Sequence, residues 1–337
     1  MTPERFDAIT SKYRGLNLAV IGDFCLDRYF DIDPGLCETS IETALPVHNV
    51  TRVRCQPGAA GTILNNLVAL GIGTLFPVGL CGDDGEGWSL RRALSGLPGV
   101  RLDAFVTASD RHTFTYSKPL VHHVGQPPEE LSRLDQKNWT QTPGALGEQL
   151  AASVLRLTGE VDGSIVMDQV DLEGTGTVTR EVIGALAHRS QASPDKLILA
   201  DSRRGLAGCP PLVFKMNAAE LAVLTGRPVD SLDDIRTACI ALARSNGRPA
   251  FVTLSERGIL GATANGESAH VPNFPIHGPI DIVGAGDAVS ANLTAALAAG
   301  ASVQEAMELA MAAAHLVIHQ LGTTGTATVS QIRGVLL

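Results

Sequence analysis

The sequence predicts an α/β fold in which helices cover both faces of a mostly parallel central sheet. The first observation is a series of short, continuous apolar runs, such as residues 18–22 and 164–168, which is typical of strands buried on both faces. The second is that these runs alternate with helical patterns, such as residues 144–157. The third is composition, because 35 glycines and an aromatic content of 4% suit Gly-rich turns and Ala-rich helices better than an all-β sandwich.

Taken in chain order, six apolar runs are predicted strands and three intervening stretches are predicted helices. The strands are residues 18–22, 74–79, 164–168, 196–201, 212–216 and 250–254, and the helices are residues 62–70, 144–157 and 177–188. Polar or acidic residues follow several strands, and active sites in such sheets lie at the carboxyl ends of the strands. These residues are Asp23, Asp27, Asp168, Asp201 and Asn217.

Two segments interrupt the alternation and are predicted to form a small β-sheet attached to the main domain. Residues 28–57 and 103–124 are richer in Thr, Val, His and turn residues, and residues 113–117 alternate like an exposed strand. The main domain then comprises residues 1–27, 58–102 and 125–337. Within it, residues 125–143 are predicted to be a long connection.

Charge and cysteine content exclude several classes of partner. The net charge of −9 and the pI near 5.5 argue against nucleic acid or an anionic membrane as a partner. No stretch reaches the roughly 18 uninterrupted apolar residues of a membrane span. The polar amino terminus does not resemble a secretory signal, and the six scattered cysteines lack a Cys-x-x-Cys pair. We therefore expect reduced thiols and a cytoplasmic location.

The strongest chemical signal is the segment Asp-Ile-Val-Gly-Ala-Gly-Asp at residues 281–287, which precedes a long apolar helix. The small residues Gly284, Ala285 and Gly286 let backbone N–H groups approach an anion, and the helix N-terminus adds its positive dipole end. Such a site suits the charge on a transferring phosphoryl group, and Asp287 is placed to take a proton from an attacking hydroxyl. The structural alternative is a tight turn with Asp287 as a helix cap.

Three weaker signals lie elsewhere, and an ordinary cap or turn explains each of them singly. Asn217 and Glu220 follow an apolar strand on one side of a helix start, where Glu220 can hold Mg²⁺ through water near phosphates. Asp23 and Asp27 follow another strand and can accept hydrogen bonds from sugar hydroxyls. The small residues at positions 57–61 allow a ligand to approach the backbone closely.

In this order and spacing, the four signals resemble the PfkB family of carbohydrate kinases, from about residue 16 to about residue 330. Within that family the chain is most similar to the kinase domain of the heptose 7-phosphate kinases. Further motifs carry the resemblance at residues 44–47, 78–84, 133–135, 252–258 and 321–323. The resemblance implies a ribokinase-like, Rossmann-type three-layer sandwich. It also implies that the small sheet is a lid over the sugar, often paired across a homodimer.

The resemblance further implies ATP and Mg²⁺ as cofactors, a sugar or sugar phosphate as the small-molecule partner, and roles for individual residues. Asp287 would be the general base, and the amides of Gly284, Ala285 and Gly286 would form an anion hole. Activation by a monovalent cation such as K⁺ is left open. The sugar side would comprise Asp23, Asp27, Gly58, Ala59, Thr62, Asn66, Arg133 and Arg203. The nucleotide side would comprise Asn217, Glu220 (also the water-mediated Mg²⁺ site), Thr253, Ser255, Gly258, Met311 and His315.

The sequence also departs from the family pattern at several positions. Ala59 replaces a usual second glycine, Thr62 replaces a sugar-contacting Asn, and residues 168–174 lack the Lys of the heptose kinases. Met311 and His315 stand where Asn and Gly are usual, on the nucleotide side. Two alternative functions therefore stay open. One is a nucleoside kinase on the same scaffold, and the other is a non-catalytic regulator that binds a sugar or nucleotide.

Overall fold

The computed structural model describes all residues, 1–337, and contains sixteen strands and ten α-helices. The strands are β1 (Asn17–Gly22), β2 (Phe24–Ile32), β3 (Glu38–Thr39), β4 (Pro46–Val47), β5 (Val50–Ala59), β6 (Thr74–Gly82), β7 (Phe105–Ala108), β8 (Thr115–Val121), β9 (Glu129–Glu130), β10 (Leu134–Gln136), β11 (Gly163–Asp168), β12 (Ile198–Ser202), β13 (Val213–Asn217), β14 (Ala250–Thr253), β15 (Ile259–Ala262) and β16 (Ser268–Val271). The helices are α1 (Pro3–Thr10), α2 (Ala60–Ala69), α3 (Gly85–Ser95), α4 (Gly144–Glu160), α5 (Arg180–Ala192), α6 (Ala218–Thr225), α7 (Leu232–Asn246), α8 (Ala285–Ala298), α9 (Val303–Ile318) and α10 (Val329–Leu336).

Nine strands form the central sheet, in the order β16-β15-β14-β13-β12-β11-β1-β6-β7. The strands from β14 to β7 pair in parallel, whereas β14, β15 and β16 pair antiparallel at one edge. Helices α4 to α7 bury one apolar cluster against one face, and α1, α2, α3, α8, α9 and α10 bury a second cluster against the other. The predicted α/β three-layer architecture is confirmed. The six predicted strands all lie in this sheet, with ends shifted by a few residues at most.

A separate sheet, which we call the lid sheet, contains β10, β8, β2 and β5 in that order, with β9 also paired to β8. Strands β2 and β5 are long and antiparallel, and their register runs from Phe24 opposite Ala59 to Ile32 opposite Val50. They begin and end beside the central sheet, since Asp23 directly follows β1 and α2 directly follows β5. The lid sheet is therefore attached where the sugar-side residues were predicted.

The two sheets divide the chain differently from the predicted segments. Strand β7 falls in the segment 103–124 that was assigned to the small sheet, yet it pairs with β6 in the central sheet. Strands β9 and β10 fall in the predicted connection 125–143, yet they pair with β8 in the lid sheet. These two strands have only two and three residues and no apolar alternation, so the sequence carries no strand signal there. That the lid sheet acts as a separate domain stays a prediction.

The helices are too short or too polar for a membrane. The longest helix, α4, has 17 residues, and no helix meets both the length and the apolar character that crossing a membrane requires.

Candidate active site

The start of α8 presents backbone donors without a protein acceptor. Gly284 precedes the helix with φ +84°, a conformation that favours glycine, and no side chain caps the helix. The amides of Gly284 and Gly286 donate to no protein group, whereas the Ala285 amide donates to the Ile282 carbonyl at 3.2 Å. Of the three amides predicted to form the anion hole, two are thus free and that of Ala285 is engaged in a turn.

Lys215 adds a positive charge beside these amides, and the sequence analysis missed it. This buried side chain lies on β13 and donates to Asp201 Oδ2 at 2.7 Å. A Cβ atom added to Gly286 would lie 3.1 Å from Lys215 Nζ, so the absence of a side chain there keeps the ammonium next to the helix start. Ser290 Oγ on α8 also donates to Asp201 Oδ2, at 3.1 Å. Together these contacts fix β12, β13 and α8 around one point.

Asp287 lies in the first turn of α8, half-buried, and its carboxylate accepts no hydrogen bond from the protein. Burial raises its pKa to about 7, with further increases from the negative charges of Asp201 and Asp27. The positive charge of Lys215 acts in the opposite direction. A carboxylate that titrates near neutral pH is suited to act as a general base.

Asp27, on the lid sheet, lies close enough to Asp287 for its negative charge to raise the pKa of that carboxyl. It is buried on β2, and a Cβ atom on Gly58 would lie 2.5 Å from Asp27 Oδ2 and 2.7 Å from Cys25 Sγ. Glycine at position 58 is therefore required for β5 to approach this carboxylate. Burial raises the pKa of Asp27, while Lys118 and Arg133 partly offset that effect. Asp27 and Gly58 thus lie together on the side where the sugar was predicted.

Helix α2 links this sugar side to the start of α8. The Thr62 methyl group would lie 3.5 Å from a Cβ atom on Gly284, so the two helix starts are in contact range. Asn66 is buried, and its amide nitrogen donates to the Thr62 carbonyl at 2.9 Å while its Oδ1 has no protein donor. Ala59, just before the helix, has φ +53° and ψ −117°, which is a strained conformation for alanine.

Asp23 makes contacts beyond its predicted role. Its Oδ2 accepts from the amides of Gln169 at 2.8 Å and Val170 at 3.2 Å, and its Oδ1 accepts from the amide of Thr177 at 2.6 Å. With both oxygens engaged and the side chain 3% exposed, Asp23 fastens the loop after β11 to the end of β1. Asp23 thus has a structural role, and it also lines a small pocket with Cys25 and Ala59, so its contact with a sugar hydroxyl stays a prediction.

Four cationic side chains form what we call the lid cation cluster: Lys118, Arg133, Lys137 and Arg203. Arg133 Cζ lies 5.0 Å from the centroid of the Tyr116 ring, and Lys137 Nζ lies 5.9 Å from the same centroid. Lys118 Nζ lies 5.1 Å from the neighbouring Tyr29 ring. Arg203 is close enough to Tyr116 to lower its pKa, although burial and other charges raise it overall.

Ion pairs neutralise only part of this cluster. Arg133 pairs with Asp135 at 2.7 Å, and Asp171 pairs with Lys137 at 2.8 Å and with Arg203 at 3.3 Å. Three of the four cations thus form ion pairs with two carboxylates, while Asp27 and Glu130 lie close enough for their charges to interact with Arg133. Arg133 and Arg203 were predicted for this side, whereas Lys118 and Lys137 were not.

Asn217 and Glu220 form a reciprocal capping box at the start of α6. Asn217 Oδ1 accepts from the Glu220 amide at 2.9 Å, and Glu220 Oε2 accepts from the Asn217 amide at 2.7 Å. Burial disfavours the charged form of Lys215, but Asp201, Asp287 and Glu220 together hold its pKa above the ordinary value. Glu220 is therefore near the α8 site. No group of three or more His, Cys, Asp or Glu side chains is arranged to hold a metal, so Mg²⁺ at Glu220 would need further ligands.

The remaining nucleotide-side residues divide into those at the sheet edge and those on α9. Thr253 is opposite Asn217 in the sheet, and the following loop holds the exposed Ser255 and the buried Gly258. Gly258 is required by the fold, because a Cβ atom would lie 2.1 Å from the Val271 carbonyl oxygen. On α9, the partly exposed His315 ring lies 5.4 Å from the ring of Phe274.

Met311 does not have its predicted position. It is 5% exposed and packs within the apolar cluster under α8 and α9, so its side chain fills the core. Met311 lies one helical turn before His315 in the sequence. This spacing does not determine whether both side chains reach the same ligand-facing surface of the helix.

Comparison with known families and curated proteins identifies related sequences. Residues 163–329 match the family described as "pfkB family carbohydrate kinase". The bifunctional protein HldE of Paramagnetospirillum magneticum is 31% identical over 93% of this chain and 62% of that protein. The HldE of Gluconacetobacter diazotrophicus is 29% identical over 95% and 63%, respectively. The chain thus spans less than two thirds of the length of these relatives.

Solved structures share the fold along almost the whole chain. Arabidopsis thaliana ribokinase, complexed with ribose and ATP, has a TM-score of 0.69 and 18% identity, over 95% of this chain and 98% of that one. Phosphofructokinase-2 from Escherichia coli, in complex with substrates and products, has a TM-score of 0.70 and 19% identity over the same shares. At these identities the likeness shows a common ribokinase-like fold.

Proposed function

Because residues 163–329 match the pfkB family of carbohydrate kinases, we propose that the chain transfers the terminal phosphoryl group of ATP to a hydroxyl of a phosphorylated sugar. The observation that carries this proposal is the position of Asp287. Its carboxylate has a pKa of about 7 and lies next to the free amides of α8 and the ammonium of Lys215, and the charge of Asp27 also acts on it.

Asp287 would act as the general base. The hydroxyl of the sugar is held by Asp27, which accepts a hydrogen bond from it, and by the close approach of the backbone at Gly58. The Asp287 carboxylate takes the hydroxyl proton as the new oxygen–phosphorus bond forms and the bond to the ADP oxygen breaks. Since the carboxylate has no hydrogen-bond donor in the protein, its oxygens are available for that proton.

Charge that develops on the transferred group would be stabilised by α8 and β13. The amides of Gly284 and Gly286 and the ammonium of Lys215 form a donor set for phosphate oxygens, and Asp201 holds the ammonium in place. Glu220, near Lys215, would hold Mg²⁺ through water. ATP with Mg²⁺ supplies the phosphoryl group and a metal that neutralises part of its charge.

The lid cation cluster favours an acceptor that already carries a phosphate. Three of its four cations form ion pairs with two carboxylates, and the Arg133 and Arg203 side chains are about half exposed, at 45% and 55%, so they can reach a ligand. A guanidinium binds phosphate through two parallel hydrogen bonds. A neutral sugar or nucleoside would form no ion pair with these guanidinium groups.

Two features support the expected lid dimer and cation dependence. The lid sheet and its β3–β4 loop expose apolar side chains, including Ile41 at 99% and Leu45 at 63%, which a second copy of the chain would cover. A structure of E. coli phosphofructokinase-2, which has the same fold, is in complex with potassium. The kinase rate of this chain should therefore be measured across a range of K⁺ concentrations.

A kinase assay with defined acceptors tests the proposal. Heptoses, hexoses and pentoses, each with and without a phosphate, and nucleosides are incubated with Mg²⁺ and ATP, and ADP and the phosphorylated product are both quantified. We expect turnover of at least one sugar phosphate, and Asp287→Ala should reduce its rate by about a hundredfold or more. Asp103→Asn, at an exposed ion pair, is the matched control. Near-normal turnover in Asp287→Ala, or nucleosides as the only acceptors, refutes the proposal.

A further inference from the structure

A small pocket lies between the lid sheet and the loop that follows β11. Cys25 on β2 and Tyr116 on β8 line it from the lid sheet, and Val170 lines it from the loop. Its volume of about 20 Å³ exceeds the roughly 10–15 Å³ that one water-sized group requires. The pocket therefore admits one small group, such as a methyl or a hydroxyl, and not a sugar ring.

Strand geometry places this pocket on the acceptor side of the candidate active site. Cys25 and Asp27 are two residues apart on β2, and Tyr116 pairs in register with Asp27, so the three side chains point to one face of the lid sheet. A Cβ atom on Gly58 would lie 2.5 Å from Asp27 Oδ2 and 2.7 Å from Cys25 Sγ, so the carboxylate and the thiol are close together. A group that enters the pocket thus belongs to the part of the acceptor next to Asp27.

The innermost lining of the pocket is apolar. Cys25, Phe114 and Val170 are buried and pack in one small cluster, and Ala59 and Tyr116 pack against it. Burial raises the pKa of the Cys25 thiol well above its ordinary value, so the thiol stays neutral. A group in the pocket therefore exchanges its contacts with water for contacts with carbon and sulfur atoms.

Three polar side chains of the lining already have partners within the protein. Asp23 accepts from three backbone amides, and Asn138 exchanges two hydrogen bonds with the backbone of His112, at 2.9 and 2.8 Å. The Thr175 hydroxyl donates to the Leu172 carbonyl at 2.8 Å. A ligand hydroxyl in the pocket would lose its hydrogen bonds to water without full replacement, whereas a CH₂ or CH₃ group has none to lose.

The cations beside the pocket complete the description of the acceptor. Lys137 of the lid cation cluster lines the pocket, where it pairs with Asp171 at 2.8 Å. The pocket thus adjoins both Asp27 and the cations that would bind the acceptor's phosphate. Resting on the proposed function, we propose that the pocket holds a carbon that bears only hydrogen, and that the acceptor is a deoxy sugar phosphate.

The test compares acceptors that differ by one hydroxyl. The pairs are 2-deoxyglucose 6-phosphate and glucose 6-phosphate, 2-deoxyribose 5-phosphate and ribose 5-phosphate, and D-fucose 1-phosphate and D-galactose 1-phosphate. Dissociation constants are measured on the full chain by isothermal titration calorimetry without ATP, and kcat/KM is measured with Mg²⁺ and ATP. Val170→Thr and Cys25→Ser keep the side-chain size and add a hydroxyl to the pocket, and Val223→Thr at an exposed position of α6 is the matched control.

In at least one pair we expect the deoxy member to bind about tenfold or more tightly than its partner, because the apolar lining cannot satisfy the extra hydroxyl. Val170→Thr should reduce this preference to about threefold or less, since its hydroxyl offers a hydrogen-bond partner, and Val223→Thr should leave it unchanged. Cys25→Ser keeps the test valid if Val170→Thr fails to fold.

The proposal is overturned if no deoxy acceptor binds more tightly than its partner, or if the preference is unchanged in both pocket variants. The kinase function is tested separately by turnover. A deoxy preference in binding without turnover of any acceptor would support the selectivity of the pocket and refute the kinase function.

Discussion

The charges of Lys215 and Asp201 should set the pH range in which Asp287 acts as a base. Burial raises the pKa of Asp287 to about 7, Asp201 raises it further, and Lys215 lowers it. Replacing Lys215 with Met removes the favourable cation and leaves Asp201 without its partner at 2.7 Å. Replacing Asp201 with Asn frees the Lys215 ammonium to interact with Asp287. The two variants therefore move the pKa of Asp287 in opposite directions.

The size of each shift follows from the distances at the site. The Lys215 ammonium lies next to Gly286, the residue that precedes Asp287. Two unit charges about 6 Å apart, at an effective dielectric constant of about 20, interact by roughly 3 kcal/mol. Since one pKa unit corresponds to about 1.4 kcal/mol, and solvent reaches Asp287, we expect shifts of about 1–2 units. Lys215→Met should raise the pKa of Asp287 and Asp201→Asn should lower it.

The assay is the pH dependence of kcat/KM for the best acceptor, which reports ionisations of the free enzyme. In the unmodified protein kcat/KM should fall about tenfold per pH unit below pH 7, because the protonated carboxyl cannot accept a proton. This acid limb should move to higher pH in Lys215→Met and to lower pH in Asp201→Asn, whereas the control Asp103→Asn should leave it in place. A profile without an acid limb between pH 5 and 8, or shifts of the same sign in both variants, refutes the reasoning.

Three further predictions concern stability and the lid. The pKa of Asp287 is raised from 3.8 to about 7 in the folded state, so stability is lost as the pH rises from about 4 to about 7, and the full cost of the ionised carboxylate is present above pH 7. Asp287→Asn should therefore add about 1–3 kcal/mol to the unfolding free energy at pH 8 and almost nothing at pH 4, measured by urea denaturation. A gain that is the same at both pH values contradicts this. Ala59→Gly should raise the unfolding free energy by about 1 kcal/mol because it relieves the backbone strain at φ +53°. As a control, Ala151→Gly within α4 should lower the unfolding free energy by about the same amount. A lower unfolding free energy in both variants would show that Ala59 is not strained. Gln56 on β5 donates to Thr324 Oγ1 at 2.6 Å and so ties the lid sheet to the loop beside Gly284. Gln56→Ala should raise the KM for the acceptor about 2- to 12-fold with little change in kcat, in steady-state assays, and an unchanged KM would show that this contact does not hold the lid.

The central sheet could be predicted because its strands are buried on both faces and so form continuous apolar runs. All six predicted strands are present, but β15 and β16 at the antiparallel edge and the short polar strands β9 and β10 were not predicted. An edge strand of two or three residues needs no apolar pattern, since its pairing depends on the neighbour that tertiary structure brings to it. The position of β7 was misassigned for a related reason, because its four residues resemble those of the lid segment.

The site could be predicted where its residues are adjacent in sequence. The start of α8 is such a segment, and the structure places Gly284, Gly286 and Asp287 together as the sequence indicated. The structural role of Asp23 could not be predicted, because an acidic residue after a strand gives no indication of which backbone amides will surround it. Met311 was misassigned because its degree of burial on α9 depends on packing against α8.

The sequence does contain a signal for the role of Lys215, which the sequence analysis did not use. A lysine in the middle of an apolar strand that is covered on both faces must lose its hydration on folding, and such a charge is stable only beside an opposite one. Its partner must come from a neighbouring strand or the helix above, and Asp201 occupies the end of β12, the strand that pairs in parallel with β13. Once this pair is inferred, the carboxyl ends of β12 and β13 lie beside each other, and a third charge from the start of α8 completes the site. The residues that would move a proton and hold a phosphate therefore come from three segments far apart in sequence, each of which has an ordinary structural explanation when considered alone.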